Sequence, residues 1–173
     1  MDVKFPLAMP SVDLCNGEIV VFTSKLNRKT YSDKIAYIND INIGKAVRAS
    51  CSFPGIFSPC EYNNKFLIDG GVRENIAWRE AKKIGAEKVL CITFENKLNN
   101  KYPNENIIEV VANAIDLMGR ELYNYEINGA DCVIEIQTPH VSLLDIKKME
   151  YFYEKGYQEV KKNIKKIKKE LEL

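Results

Sequence analysis

The chain has 173 residues, a length that fits one domain. It is 46% hydrophobic and 28% charged, enough to bury a core, so a wholly disordered chain is excluded. The net charge of +1 leaves no global field to recruit nucleic acid. The five cysteines, Cys15, Cys51, Cys60, Cys91 and Cys132, are odd in number and form no Cys-x-x-Cys pair. That pattern favours a reducing compartment, and hence a cytoplasmic location, over a disulfide framework. With one histidine and no clustered ligands, neither a structural metal nor a cofactor is expected. No apolar run approaches the roughly 20 residues of a membrane span, and Met1 to Ser11, with Asp2, Lys4 and two prolines, does not read as a signal peptide.

In chain order, Lys4 to Asp13 and Glu18 to Ser24 flank Asn16-Gly17, the strongest short hairpin signal. Ser32 to Ile43 reads as irregular. Asn42 is placed to cap a short helix from Ile43 to about Ser52, which Pro54-Gly55 and Pro59 then stop. A second hairpin, Cys60 to Tyr62 with Lys65 to Ile68, turns at Asn63-Asn64. The run Phe66-Leu67-Ile68-Asp69-Gly70-Gly71 ends that strand in an acid and two glycines. Asn75 is expected to cap a helix over Ile76 to Ile84, with Gly85 as its stop.

Lys88 to Phe94 is apolar throughout, as in a strand covered on both faces. Asn106 to Ile127 predicts a long helix with Ile107, Val111, Ala114, Met118, Leu122 and Tyr125 on one stripe. Cys132 to Ile136 predicts another buried strand. A last helix is expected from Asp145 or Lys147 to about Leu171. Strand and helix alternate from Phe66 onward, which argues for a parallel sheet covered by helices. Ligands of such sheets bind at the carboxyl ends of strands. Three polar residues are expected there: Asp69, Glu95 and His140.

Asp69 reads in two ways. It is an aspartate that hydrogen-bonds its own turn, as Asp-Gly pairs often do, or a carboxylate poised as general base for a hydroxyl nucleophile. Two consecutive glycines favour a place where backbone must approach closely. No serine carries the flanking glycines of a nucleophile elbow. Ser50 and Ser52 read as helix packing and capping residues. His140 is either a surface residue or the partner of Asp69 in an acid/base couple, and Glu95 is a weaker case of the same kind. Lys161, Lys162, Lys165, Lys166, Lys168 and Lys169 make a lysine face on the last helix. It is either solvated or a contact for anionic lipid.

Ala46 to Pro59, then Phe66 to Asn75, resemble patatin-like phospholipases. So do the hairpin of Pro6 to Thr23, Gly129-Ala130-Asp131, Ser142 to Asp145 and Gly156-Tyr157. The resemblance implies a three-layer α/β/α acyl hydrolase fold, with a mostly parallel sheet and added hairpins. It implies that residues 1–173 are the carboxyl-terminal portion of one such domain. Asp69 is then the base of a Ser–Asp dyad, with Gly70 and Gly71 shaping its loop, and a lipid or other acyl ester is the substrate. The family's glycine-rich oxyanion loop and Gly-x-Ser-x-Gly elbow have no counterpart in this sequence. The chain by itself is therefore expected to be inactive. Its partners would be the portion bearing the serine or a second copy of the chain, with peripheral membrane contact. Ala77 stands where many members have proline. The alternatives are a non-enzymatic half-domain that binds or assembles, and an independent hydrolase built on Asp69 and His140.

Overall fold

A computed structural model describes residues 3–26, 35–96, 107–138 and 146–173. The chain is a mixed α/β protein, as expected, and divides into two compact units, Met1–Glu87 with Asn104–Asn128 and Lys88–Pro103 with Gly129–Leu173.

The first unit is built on five strands: β1 (Ala8–Asp13), β2 (Ile19–Thr23), β3 (Ile35–Ile38), β4 (Cys60–Tyr62) and β5 (Lys65–Asp69). Their order is β3-β2-β1-β5-β4. The first hairpin forms as the sequence predicts. Gly17 takes φ +73°, and Asn16 Oδ1 accepts from the Glu18 N–H at 2.8 Å. The second turns at Asn63 and Asn64, at φ 46° and 61°, the pair of left-handed residues a tight hairpin needs.

Two features depart from the sequence reading. Residues 35–38, expected to be irregular, form β3 and pair parallel to β2. Four residues are too few for alternation to show, and the pairing is decided by the fully buried Val20, Val21 and Phe22 of the neighbouring strand. Strand β5 pairs antiparallel with β4 in the predicted second hairpin, but its other neighbour, expected to be parallel, is β1, also antiparallel. Of the five strand pairings among the described residues, β1–β2, β1–β5 and β4–β5 are antiparallel. The expectation of a mostly parallel sheet is therefore corrected. Two of these pairs are hairpins, whose short connections dictate antiparallel neighbours; the third joins the two hairpins edge to edge.

Helix α1 (Ile43–Ser50) starts where Asn42 Oδ1 accepts from the Gly44 N–H at 2.8 Å. Its Ala46 and Ala49 pack on Val20, Phe22, Cys60 and Leu67 to make the main core. Helix α2 (Trp78–Lys83) begins two residues later than expected and has no side-chain cap, because its N-cap residue is Ala77, which has no acceptor; Asn75 bonds the Gly119 carbonyl instead. It carries a buried glutamate, Glu80. Tyr37 Oη donates to Glu80 Oε2 at 2.7 Å, and Lys83 Nζ donates to Glu80 Oε1 at 2.7 Å and to Tyr37 Oη at 2.8 Å. That triad ties β3 to α2. Burial pushes the Tyr37 hydroxyl up to about 12.

Helix α3 (Ile107–Glu126) also belongs to this unit. The stripe predicted to be its core face is largely exposed, with Ile107 at 71%, Met118 at 64% and Tyr125 at 78%. Its inward face is instead marked by Glu126, which is buried.

The second unit pairs β6 (Leu90–Asn96) parallel to β7 (Cys132–Thr138), in a sheet separate from the first. Cys132 and Ile134 pack on Ile167, with Leu90, Val160 and Leu171 around them. Strand β6 was expected to be covered on both faces, yet Ile92 is 49% and Phe94 63% exposed. The predicted last helix is two helices, α4 (Met149–Lys162) and α5 (Ile164–Leu171). They meet at Asn163, whose Nδ2 donates back to the Glu159 carbonyl at 2.8 Å and so competes with the helical ladder. All six lysines of the predicted face are exposed.

Candidate active site

Asp69 is the last residue of β5 and is half-buried. Its N–H donates to the Ser52 carbonyl at 3.0 Å, which fixes the strand end against the segment after α1. Its Oδ1 accepts from the Gly71 N–H at 2.8 Å, capping a single 3-10 turn over Gly70–Val72. Among the described residues Oδ2 accepts no hydrogen bond. Burial raises the carboxyl above its ordinary 3.8, opposed by the Gly71 bond. The turn reading of this residue holds, since Oδ1 closes the turn.

Gly70 is fixed by close approach. A Cβ there would lie 2.4 Å from the Pro10 carbonyl oxygen of β1 and 2.7 Å from its carbon. Only glycine lets the turn fold back on the strand beside it. A Cβ on Gly71 would sit 3.1 Å from Asp69 Oδ1, so the second glycine keeps space around the carboxylate.

The nearby serines are spent on the backbone. Ser11 Oγ donates to the Val20 carbonyl at 3.0 Å, Ser50 Oγ to Pro10 at 2.7 Å and Ser52 Oγ to Arg48 at 2.6 Å. The Arg48 guanidinium also reaches Ser52 Oγ, and its other arm bonds the Ser58 carbonyl at 2.8 Å. Ser50 and Ser52 therefore act as local packing and capping residues, as the sequence predicts.

After the turn, Arg73 and Glu74 N–H groups both donate to the Gly70 carbonyl, at 3.0 and 2.8 Å. The Arg73 side chain bonds the Gly17 carbonyl of the first hairpin. Glu126 Oε2 accepts from the N–H of Asn75 at 2.9 Å and of Ile76 at 3.0 Å. Trp78 Nε1 donates to the Glu126 carbonyl at 2.8 Å, and Asn75 Nδ2 donates to the Gly119 carbonyl at 3.1 Å. Behind the turn Glu74 is only 8% exposed, and its Oε2 has no hydrogen-bond partner among the described residues. Burial, then the charges of Glu80 and Glu126, push this carboxyl from 4.5 up to about 7, against Lys83 and Arg79.

Sequence reasoning missed Glu74, Glu80 and Glu126. Glu80 leaves a trace, as a charge on an otherwise apolar helical stripe. Glu126 leaves none, since its partners lie some fifty positions away along the chain. Of the other predicted site residues, Glu95 lies in β6, which is not in the sheet of Asp69. His140 lies outside the described residues. The described residues hold no group of three or more His, Cys, Asp or Glu able to bind a metal. No helix among them is long and apolar enough to cross a membrane. All five cysteines are free, and Cys91 and Cys132 are buried as the sequence predicts.

The arrangement is that of an α/β protein offering one desolvated carboxylate at a strand end, braced by two glycines. The model of the patatin-like phospholipase family matches residues 3–82, which include all five strands of the first sheet and the Asp69 turn. The family resemblance read from the sequence is thus found on that segment. The match stops short of Gly129-Ala130-Asp131 and the later stretches that also carried the resemblance. A lysophospholipase, NTE1 of Meyerozyma guilliermondii, is 39% identical over 46 residues, which is 27% of this chain and 3% of that protein. The chain therefore spans a very small part of that relative.

Proposed function

We propose that Asp69 is the general base of a Ser–Asp dyad in a lipid acyl hydrolase, acting on a serine that the 173 residues do not contain. The observation that carries this is the half-buried Asp69 carboxyl, its proton affinity raised by desolvation and its Oδ2 accepting no hydrogen bond among the described residues, inside the segment that matches patatin-like phospholipases. On this reading residues 1–173 are the carboxyl-terminal portion of one patatin-like domain working in the cytoplasm. Asp69 takes the proton of the serine hydroxyl, the serine oxygen attacks the ester carbonyl, and water later releases the acyl group. The rise in the Asp69 carboxyl suits a base, because a more basic carboxylate accepts the proton more readily.

A serine-reactive fluorophosphonate tests the part of this claim that concerns the chain itself. No serine of the isolated chain is expected to be labelled. Covalent labelling at any serine would place the nucleophile inside the chain and overturn the reading.

A second reading, a module that binds or assembles without catalysis, is favoured by the exposed apolar residues of α3. It requires self-association or dye binding by the isolated chain. Monomeric elution with little dye binding counts against it.

A further inference from the structure

Asp69 sits at one end of a tightly wound segment, and the other end is held by a different element. From Asp69 to Glu74 the backbone closes on itself through Gly71 N–H to Asp69 Oδ1 and through Arg73 and Glu74 N–H to the Gly70 carbonyl. The next two N–H groups, of Asn75 and Ile76, find no backbone acceptor and turn to one oxygen, Glu126 Oε2, at 2.9 and 3.0 Å. Two adjacent N–H groups converging on one carboxylate oxygen make a strong charge-assisted anchor. Glu126 is the last residue of α3 and only 4% exposed, so solvent screens this contact weakly. The same helix adds its Gly119 carbonyl for Asn75 Nδ2 and the Glu126 carbonyl for Trp78 Nε1.

We propose that Glu126 is the positioning residue of the Asp69 turn, fixing through Asn75 and Ile76 the conformation in which Asp69 keeps one oxygen on Gly71 and the other free. Its bearing on catalysis rests on Asp69 being the base. The geometry of the turn does not, so the test below reads the turn itself and can fail while the base assignment stands, or the reverse. Glu74 and Glu80 are the other carboxylates packed here, with Lys83 and Arg79 as the opposing cations.

The test uses amide hydrogen exchange and a carboxyl NMR titration of Asp69 in the 173-residue chain. In Glu126→Ala, exchange at Asn75 and Ile76 is expected to speed up roughly tenfold or more, the loss of a charge-assisted bond at each amide. Exchange at Val20, Val21 and Phe22 is expected to stay unchanged. The Asp69 titration is expected to fall back toward the ordinary carboxylate range as the turn opens to water. Glu126→Gln keeps an acceptor oxygen in the same place but removes the charge, and is expected to restore the Asp69 titration and most of the exchange protection, with Asn75 and Ile76 still exchanging faster than in wild type. Should Glu126→Ala fail to fold, Glu126→Asp, one methylene too short to reach, takes its place with the same expectation. Equal acceleration in every strand would reduce Glu126 to a general structural role. A Glu126→Gln variant that moves Asp69 as far as Glu126→Ala would make the effect one of charge alone. Either result, or no change in Glu126→Ala, overturns the proposal.

Discussion

The two sheets of this chain finish their strands in different ways. Strand β5 ends in a segment constrained from three sides: Gly70 pressed on Pro10, Asp69 bonded through its N–H to Ser52 and through Oδ1 to Gly71, and Asn75 and Ile76 held by Glu126. Strand β6 lies in a two-stranded sheet and leaves Ile92 and Phe94 open to solvent on the face that Cys132 and Ile134 bury. The first arrangement fixes one carboxylate in one geometry and partly strips it of water. The second buries a few apolar side chains and leaves half of its apolar strand β6 exposed. Chemistry belongs where backbone is over-determined, because a catalytic group loses its value when its position is loose.

The largest expected effect comes from breaking the tight end. Gly70→Ala forces a Cβ to 2.4 Å from the Pro10 oxygen, where both partners are backbone and cannot rotate away. It should cost about 3 kcal/mol, at the upper end for overpacking, and show as a large drop in the denaturation midpoint. A stability equal to wild type would mean the turn is not pressed on β1.

The next effect depends on pH. The Glu74 carboxyl stands at about 7 in the folded chain against 4.5 when free. The folded state therefore holds the proton more tightly, and the favourable contribution is complete below pH 4.5. It is lost as pH rises through 7, by about 3 kcal/mol in all. Urea unfolding at pH 5 and pH 8 should show wild type weakening across that span. Glu74→Gln, neutral at both values, should weaken much less. Parallel curves for the two proteins would show that Glu74 ionises freely in the fold.

The smallest effect is expected on the loose side of the comparison. Phe94→Ser removes a ring that is 63% exposed and should shift stability by no more than about 0.5 kcal/mol, with solubility the readout that improves. A loss of several kcal/mol would show that Phe94 is packed, and that the two sheets are less different than described.

Much of this structure was legible along the chain, where the signal is local. Asn16-Gly17, Asn63-Asn64 and the Asn42 cap each act within two or three residues, and each was found where its chemistry demands. Asp69-Gly70-Gly71 was legible for the same reason. What stayed hidden depends on partners far apart in sequence. Strand β3 exists because β2 offers it an edge. The antiparallel setting of β5 follows from its pairing with β1, more than fifty residues earlier. The exposed stripe of α3 misled because both sides of that helix carry apolar residues, and periodicity alone does not say which side faces inward. Glu126 could not be found at all, since a glutamate at a helix end is an ordinary surface residue until the fold brings Asn75 and Ile76 to it.

The central claim is that Asp69 serves a serine from outside these residues. It is tested most directly by joining the chain in cis to a patatin-like segment that carries Gly-x-Ser-x-Gly, and comparing ester hydrolysis by the active fusion with its Asp69→Asn variant. Asparagine keeps the shape and the Gly71 bond but cannot accept a proton at neutral pH. Loss of the base should lower kcat by about a hundredfold to ten-thousandfold with the fold unchanged by circular dichroism. A folded Asp69→Asn variant that hydrolyses the ester at the wild-type rate would contradict the account.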